Sequence, residues 1–507
     1  MKKKAIIIGA GPGGLTTGML LAHRGYDVTI LEKASVVGGR NAALQAGGFT
    51  FDTGPTFLHQ KFTLDELFGE VGRKPEEYMD FVKLNPMTRL SWGDISLETS
   101  SDRETMARNI EEAFPGESKN YSKFMDDHAE KLKTIFPCLL RPYHELKQYL
   151  SPALLKALPY VATKKSVMDV LGDYFTDNRL KLAFTFQAKY LGMSPWNCPA
   201  LFSILSYIEY EYGIYHVQGG LSNISEGMAK VFDEEGGNLR LNAEVKEIHY
   251  TGKKAAKVTL ESGEQLECDD LIVNADYAAA RSSIFGKHNI SSEKLEKKKF
   301  SCSTFMLYLG LDKIYEDEPH HHILFAEDYL QNLLDIQGEK VISEDMSVYV
   351  RNSSVTDDRV APPGHSQLYV LVPTINLRYD DTWEEQTAAY RDKIVDLIIA
   401  KTGMKDLREH IVEERIITPN DWQQQNIFMG ATFNFAHTLD QMLYLRPHNR
   451  LKGFDNIYLV GGGTHPGSGL PTIYESARIS ANLICESYGT RRERVDYATD
   501  ILNNLVS

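Results

Sequence analysis

An unbroken apolar run, Ala5–Ile8, is the first clear pattern in the chain. Such runs form strands covered on both faces. Gly9, Gly11, Gly13 and Gly14 follow, then Leu15–Arg24 with helical spacing, then Gly25 as a stop. Tyr26–Leu31 alternates as a second strand and ends at Glu32. Strand, glycine turn, helix, strand and terminal acid make the βαβ unit that holds a dinucleotide. Gly9 permits the tight turn, Gly11 the approach of backbone N–H groups to a pyrophosphate, and Gly14 the packing of helix on strand. The helix N-terminus faces the phosphates with positive potential, and Glu32 accepts from ribose hydroxyls.

Helical spacing recurs over Glu104–Phe114, Tyr121–Phe136, Leu221–Phe232 and Glu384–Thr402. Leu239–Tyr250, Ala256–Glu261, Gln265–Cys268, Leu271–Ala275, Phe305–Leu311, Ser347–Val350 and Gln367–Pro373 read as strands. Near the C-terminus, the strand Asn456–Val460 runs into GGGTHPGSGLPT, and Thr472–Tyr488 continues as a helix with Pro471 in its first turn. That second strand–glycine turn–helix presents another positive helix end.

Two stretches stand apart. Residues 136–170 are apolar and lysine-bearing, and prolines at 142, 152 and 159 break them into short helices. They form either a helical subdomain with an ordinary core or a surface lying in a membrane interface. Residues 184–218 are dense in aromatics, which line a long apolar cavity or make plain core. Glu209 and Glu211 lie among them, poised for proton transfer or simply paired at a surface.

Composition narrows the partners. The 507 residues allow two or three domains. A formal net charge of -14 disfavours nucleic acid. Five dispersed cysteines without a C-x-x-C argue against structural zinc or a disulfide framework and fit a reducing cytosol. The four-residue apolar run is too short for a signal peptide, and no run is long enough to span a bilayer. The triplet His320–His322 reads as a solvated loop, because adjacent side chains on an extended segment diverge and do not converge on a metal.

GAGPGG, Glu32, GGR at 38–40, FDTGPT at 51–56, YEYGIYHVQGG at 210–220 and GTHPGSGLP at 463–471 together resemble the bacterial-type phytoene desaturase family, which includes dehydrosqualene (diapophytoene) desaturases. The resemblance runs from end to end. It implies an α/β fold: a Rossmann-like FAD-binding domain of the glutathione-reductase/amine-oxidase type, a mixed-sheet substrate domain and a helical membrane-contact region. The FAD domain is expected at 1–60, 219–292 and 451–507, the substrate domain at 61–135, 171–218 and 293–450, and membrane contact at 136–170. The expected cofactor is FAD. Its candidate ligands are Gly9, Gly11, Gly13, Gly14, Glu32, Lys33, Gly39, Arg40, Gly54, Pro55, Val245, Asp276, Gly462, Gly469, Leu470, Pro471 and Thr472. Arg40 reaches the flavin side of the dinucleotide or makes a surface ion pair.

The implied activity is carotenoid desaturation: hydride transfer from a hydrocarbon to flavin, then proton loss. Glu211 and His465 are the candidates for proton removal, with His465 equally readable as a turn residue. The expected partners are a hydrophobic carotenoid precursor, the membrane surface, and oxygen or a quinone as electron acceptor, with no nucleic acid. The expected location is the cytoplasm, peripheral to a membrane. A terminal oxygenase, isomerase or saturase on the same fold, or a prenyl-lipid escort protein without flavin, are the alternatives.

Overall fold

The computed structural model of the chain describes residues 2–139, 152–161, 164–185, 194–380 and 382–489. Its organising layer is a five-stranded parallel sheet. β1 (Lys4–Ile8) lies between β2 (Asp27–Leu31) and Asp270–Val273. Asn238–Arg240 flanks β2, and Ile457–Leu459 flanks Asp270–Val273. In register, Ile7 pairs with Ile30 on one side and Ile272 on the other.

The apolar run of β1 is explained by its two covered faces. Ala5 and Ile7 join a core with α1 (Pro12–His23) and the helices Ser222–Glu234 and Leu470–Ser487. Ile6 and Ile8 join a second core under an antiparallel meander, Val245–Thr251, Lys254–Leu260 and Gln265–Glu267. The helix Lys61–Gly69 adds Leu64, Leu67 and Phe68 to the first of these cores. The expected single strand Leu239–Tyr250 is therefore two strands in different sheets. Asn242, with φ of 53°, turns the chain between them.

The second layer is a seven-stranded mixed sheet in the order Ile411–Ile417, Ser303–Leu311, Ser366–Thr374, Val348–Asn352, His321–Leu324, Thr88–Trp92, Ile95–Thr99. Side-chain alternation sorts its faces. Phe305, Leu307 and Leu309 pack under the helix Trp383–Lys401, while Met306 and Tyr308 face an aromatic core. That core includes Phe57, Tyr207, Tyr210, Tyr349 and Tyr369 and extends to the helices Tyr121–Leu139 and Ile204–Tyr212.

The reading of His320–His322 as a solvated loop is corrected: all three are buried, and His321 and His322 belong to the strand His321–Leu324. Hydrogen-bond partners within the sheet make burial tolerable for polar rings. Of the stretch 136–170, residues 140–151, 162 and 163 lie outside the described residues, as do Phe186 and Tyr190 of the aromatic stretch. Pro152–Val161 is a helix with Leu155 and Leu158 exposed, whereas Val167–Leu171 is packed into the aromatic core.

Candidate functional site

The glycine loop after β1 is closed to side chains. A Cβ at Gly9 would fall 2.2 Å from the Asn274 carbonyl oxygen, and one at Gly14 would fall 2.0 Å from the Gly9 carbonyl oxygen. Asn274, just past the strand Asp270–Val273 beside β1, donates from Nδ2 to Gly9 O at 3.1 Å. The Glu32 carboxylate is buried and accepts from Ala10 N at 2.7 Å and Ala34 N at 2.9 Å. Its backbone pairs with Arg240 O and Ala243 N, so the chain entering Val245 runs beside it. Val245 itself is buried in the meander core, and Lys33 is exposed.

The two glycine-rich turns, some 450 residues apart in sequence, meet here. A Cβ on Gly13 would lie 2.5 Å from Val460 Cγ1 and 3.2 Å from Ile473 Cγ2. Gly469 precedes the C-terminal helix, Leu470 and Pro471 form its first turn, and Thr472 Oγ1 donates to Ser468 O at 2.7 Å. Both helix N-termini therefore point toward one region, a placement suited to the negative charge of phosphates and of a reduced flavin.

Arg40 ties the remaining segments together. Its Nη1 donates to Thr432 O at 2.7 Å, and its Nη2 reaches Asn434 Oδ1 at 3.2 Å and Asp276 Oδ2 at 3.5 Å. Burial of Asp276 raises its pKa, and Arg40 opposes the rise. Asp276 also caps the helix Tyr277–Ser283. Gly54 packs against the same arginine, since a Cβ there would sit 2.0 Å from Arg40 O; Gly39 and Pro55 flank this contact in the chain. Beneath Gly462 lies the buried Arg446. It donates to Gly462 O at 2.5 Å and Thr464 O at 3.2 Å, and burial brings its pKa down to about 10.

The proton-transfer candidates are placed apart. Glu211 lies on the helix Ile204–Tyr212 and is held by Arg103 at 2.9 Å. His465 is buried in the C-terminal glycine turn, where its backbone N donates to Pro447 O and its O accepts from Asn449 Nδ2 at 3.0 Å. The buried carboxylate of that helix is Glu209, 3.4 Å from His59 Nδ1. Burial takes the His59 pKa down to about 4.

A buried polar network adjoins the FDTGPT loop, and no sequence pattern announces it. Arg351 Nη1 reaches Asp52 Oδ2 at 2.6 Å, Nη2 reaches His216 Nδ1 at 2.9 Å, and Nε reaches His320 Nε2 at 3.2 Å. His216 Nε2 meets Asp357 Oδ2 at 2.7 Å, and His320 Nδ1 meets Thr356 Oγ1 at 2.9 Å. His321 Nδ1 lies 2.8 Å from the Tyr349 hydroxyl, which donates to Thr56 Oγ1 at 2.8 Å. Phe57 stacks on His321 with ring centres 4.2 Å apart.

Two glycine turns, an acidic β2 terminus and an arginine-clamped third segment define a dinucleotide-binding flavoprotein. The model of flavin containing amine oxidoreductases matches residues 12–485, and the chain belongs to that family. Within it, the chain is of the bacterial-type phytoene desaturase kind. It is 48% identical over 493 residues to a 4,4'-diapophytoene desaturase (4,4'-diapolycopene-forming) of Methylomonas sp, covering 96% of each chain. It is 36% identical to an all-trans-zeta-carotene desaturase of Myxococcus xanthus, over 96% of this chain and 94% of the relative. It is 31% identical to a lycopene-forming phytoene desaturase of Pantoea ananas, over 96% and 99%.

Among solved structures, cyclohexylamine oxidase from Brevibacterium oxydans aligns with a TM-score of 0.59 at 16% identity, over 96% and 100% of the chains. Rab GDI from Plasmodium falciparum aligns at 0.56 and 13%, over 97% and 100%. Both share the fold. FAD is the cofactor, and the side-chain-free cradle around Gly9 and Gly14 fits it.

Proposed function

We propose that the protein is an FAD-dependent desaturase that introduces conjugated double bonds into a long apolar isoprenoid, diapophytoene or phytoene. The observation that carries this reading is the 48% identity across 96% of both chains with a diapophytoene desaturase. Bound FAD supplies a two-electron hydride acceptor. The protein's task is to hold it and keep the site dry. The two glycine turns and Glu32 hold the dinucleotide, and Arg40, braced by Asp276 and Asn434, fixes the segment leading to Gly54.

A hydrocarbon offers no group for hydrogen bonding, so its binding rests on apolar burial. The substrate loses a hydride from a saturated carbon beside the polyene and a proton from the next carbon. Delocalisation of the intervening cation lowers the demand on the base. Glu211 and His465 remain nominated for that proton. The electrons pass on to oxygen or a quinone.

The substrate resides in a membrane, so the enzyme works peripherally at its cytoplasmic surface. No helix among the described residues is long and apolar enough to cross a membrane. Exposed Leu155 and Leu158 on Pro152–Val161 suit interfacial contact.

Expression in a non-pigmented host making either colourless phytoene or its C30 counterpart tests the reading. Yellow-to-red products from one precursor are expected, with conjugation length reporting the step count. No change with either would overturn it, and activity on an already desaturated carotenoid would then be assayed. Purified protein without flavin absorption after FAD addition would point to an escort protein.

A further inference from the structure

A cavity of about 570 Å³ lies at one edge of the seven-stranded sheet. It is walled by the strands Thr88–Trp92 and Ile95–Thr99, the helix Arg103–Ala113 and the end of the helix Trp383–Lys401. None of its lining residues belongs to the two glycine turns, and the proposed desaturation makes no use of it. Ser91, His322 and Glu318 stand together on its wall. His322 Nε2 lies 2.8 Å from Ser91 Oγ, and His322 Nδ1 lies 3.2 Å from Glu318 Oε2. Glu318 Oε1 accepts from Gly403 N at 2.6 Å.

The carboxylate sets the direction of these bonds. Burial by itself raises the Glu318 pKa, but the hydrogen bonds from His322 and Gly403 N outweigh it and bring the pKa below the ordinary value. An ionised carboxylate only accepts, so His322 Nδ1 is the donor. In the neutral ring the lone pair is then on Nε2, and the Ser91 hydroxyl donates to it. Ser91 is half-buried on the cavity wall, so its oxygen is open to a molecule in the cavity.

Arg89 adds a donor. It lies two positions from Ser91 on the same strand, hence on the same face, and pairs in register with His322. Its Nε and Nη2 are spent on Glu98 Oε1, at 3.2 and 2.8 Å, while Nη1 has no hydrogen-bond partner among the described residues. A charged donor is thereby held on the wall where an acyl oxygen would gain negative charge.

We propose that Ser91, His322 and Glu318 form a hydrolytic site for short polar carboxylic esters, with Ser91 as nucleophile, His322 as its general base and Glu318 as the positioning residue. The class of ester follows from the lining: Arg89, Glu112 and Lys401 share the space and offer a long acyl chain little apolar surface. In the step, Ser91 Oγ bonds to the acyl carbon and its proton passes to His322 Nε2. The bond from acyl carbon to alcohol oxygen breaks, and the alcohol leaves with that proton. Water repeats the sequence on the acyl-serine, which releases the acid and restores Ser91. Ester and water give acid and alcohol without exchange of electrons, so the inference stands apart from the desaturase reading.

The test uses the full chain loaded with FAD, with p-nitrophenyl acetate and p-nitrophenyl decanoate as probes. The acetate should be hydrolysed, and the decanoate more slowly. S91A and H322Q should lower acetate turnover about 100-fold or more, with FAD content and melting temperature as in wild type. E318Q should lower it too, and should move the rise of rate with pH to lower pH, because an amide does not favour the imidazolium that forms. A merely structural residue would leave that profile in place. A fluorophosphonate should label Ser91, read by peptide mass spectrometry, which needs no turnover and decides the matter even if H322Q does not fold. Acetate hydrolysis that is absent in wild type or persists in S91A, a preference for the decanoate, or a Ser91 that stays unlabelled in folded protein would each overturn the proposal.

Discussion

At Gly14 a single methyl group decides whether helix and strand can close. The added carbon would fall 2.0 Å from the Gly9 carbonyl oxygen, so G14A must push α1 off β1. Overpacking of this kind costs about 1–3 kcal/mol. Expressed in the FAD site, that is a loss of roughly 5- to 150-fold in affinity, read from the dissociation constant of FAD. Another residue-scale effect involves Asp270, buried at the start of the strand Asp270–Val273 beside β1. Burial lifts its pKa to about 6, although Tyr488 donates to it. The folded state thus binds this proton more tightly than the unfolded chain, and stability falls as pH rises from about 4 to about 6. The loss is at most about 3 kcal/mol. In D270N the melting temperature should lose this slope; an unchanged slope would assign it to other carboxylates.

Between elements, the contact most exposed to a single change is Arg478. It binds Glu66 at 3.0 Å, Glu70 at 2.8 Å and Glu475 at 2.8 Å, pinning Lys61–Gly69 to the C-terminal helix. R478M leaves three acids crowded in a mostly buried site and should cost about 3–5 kcal/mol, measured by denaturant unfolding. Which elements exist was largely legible in sequence, because a strand buried on both faces and a glycine-ended helix are local patterns. The split at Asn242 was not, since apolar alternation continues past it and only the parallel sheet captures Asn238–Arg240. The two glycine turns that leave no room for a side chain were legible from their glycines. Asn434 and Arg446 were not, because each acts through a contact distant in the chain. The Arg351 network was equally hidden: Asp52, His216, His320 and Asp357 come from four separated stretches, and polar residues in a strand do not declare that they will be buried.

For the whole molecule, charge and apolar exposure pull in opposite directions. A net charge of -14 repels anionic lipid, while Leu155 and Leu158 are 54% and 43% exposed on one short helix. Vesicle flotation should therefore show binding that does not weaken with added salt, as electrostatic attraction would. L155E/L158E should reduce it with little change in stability, because exposed positions tolerate substitution. Binding abolished by moderate salt would refute an apolar contact.

The parallel sheet also imposes an order in time. β1 and β2 emerge first, yet their neighbours are Asn238–Arg240, at one edge, and Asp270–Val273, and the strand at the other edge is Ile457–Leu459. At ribosomal rates of about 5–20 residues per second, β1 waits roughly 20–90 s for that last strand. Through this interval the apolar faces of β1 and α1 lack part of their cover. The cradle closes only when Val460 and Ile473 arrive against Gly13. The close-packed pair of glycine turns is therefore a late feature of synthesis, complete only once nearly the whole chain has been made.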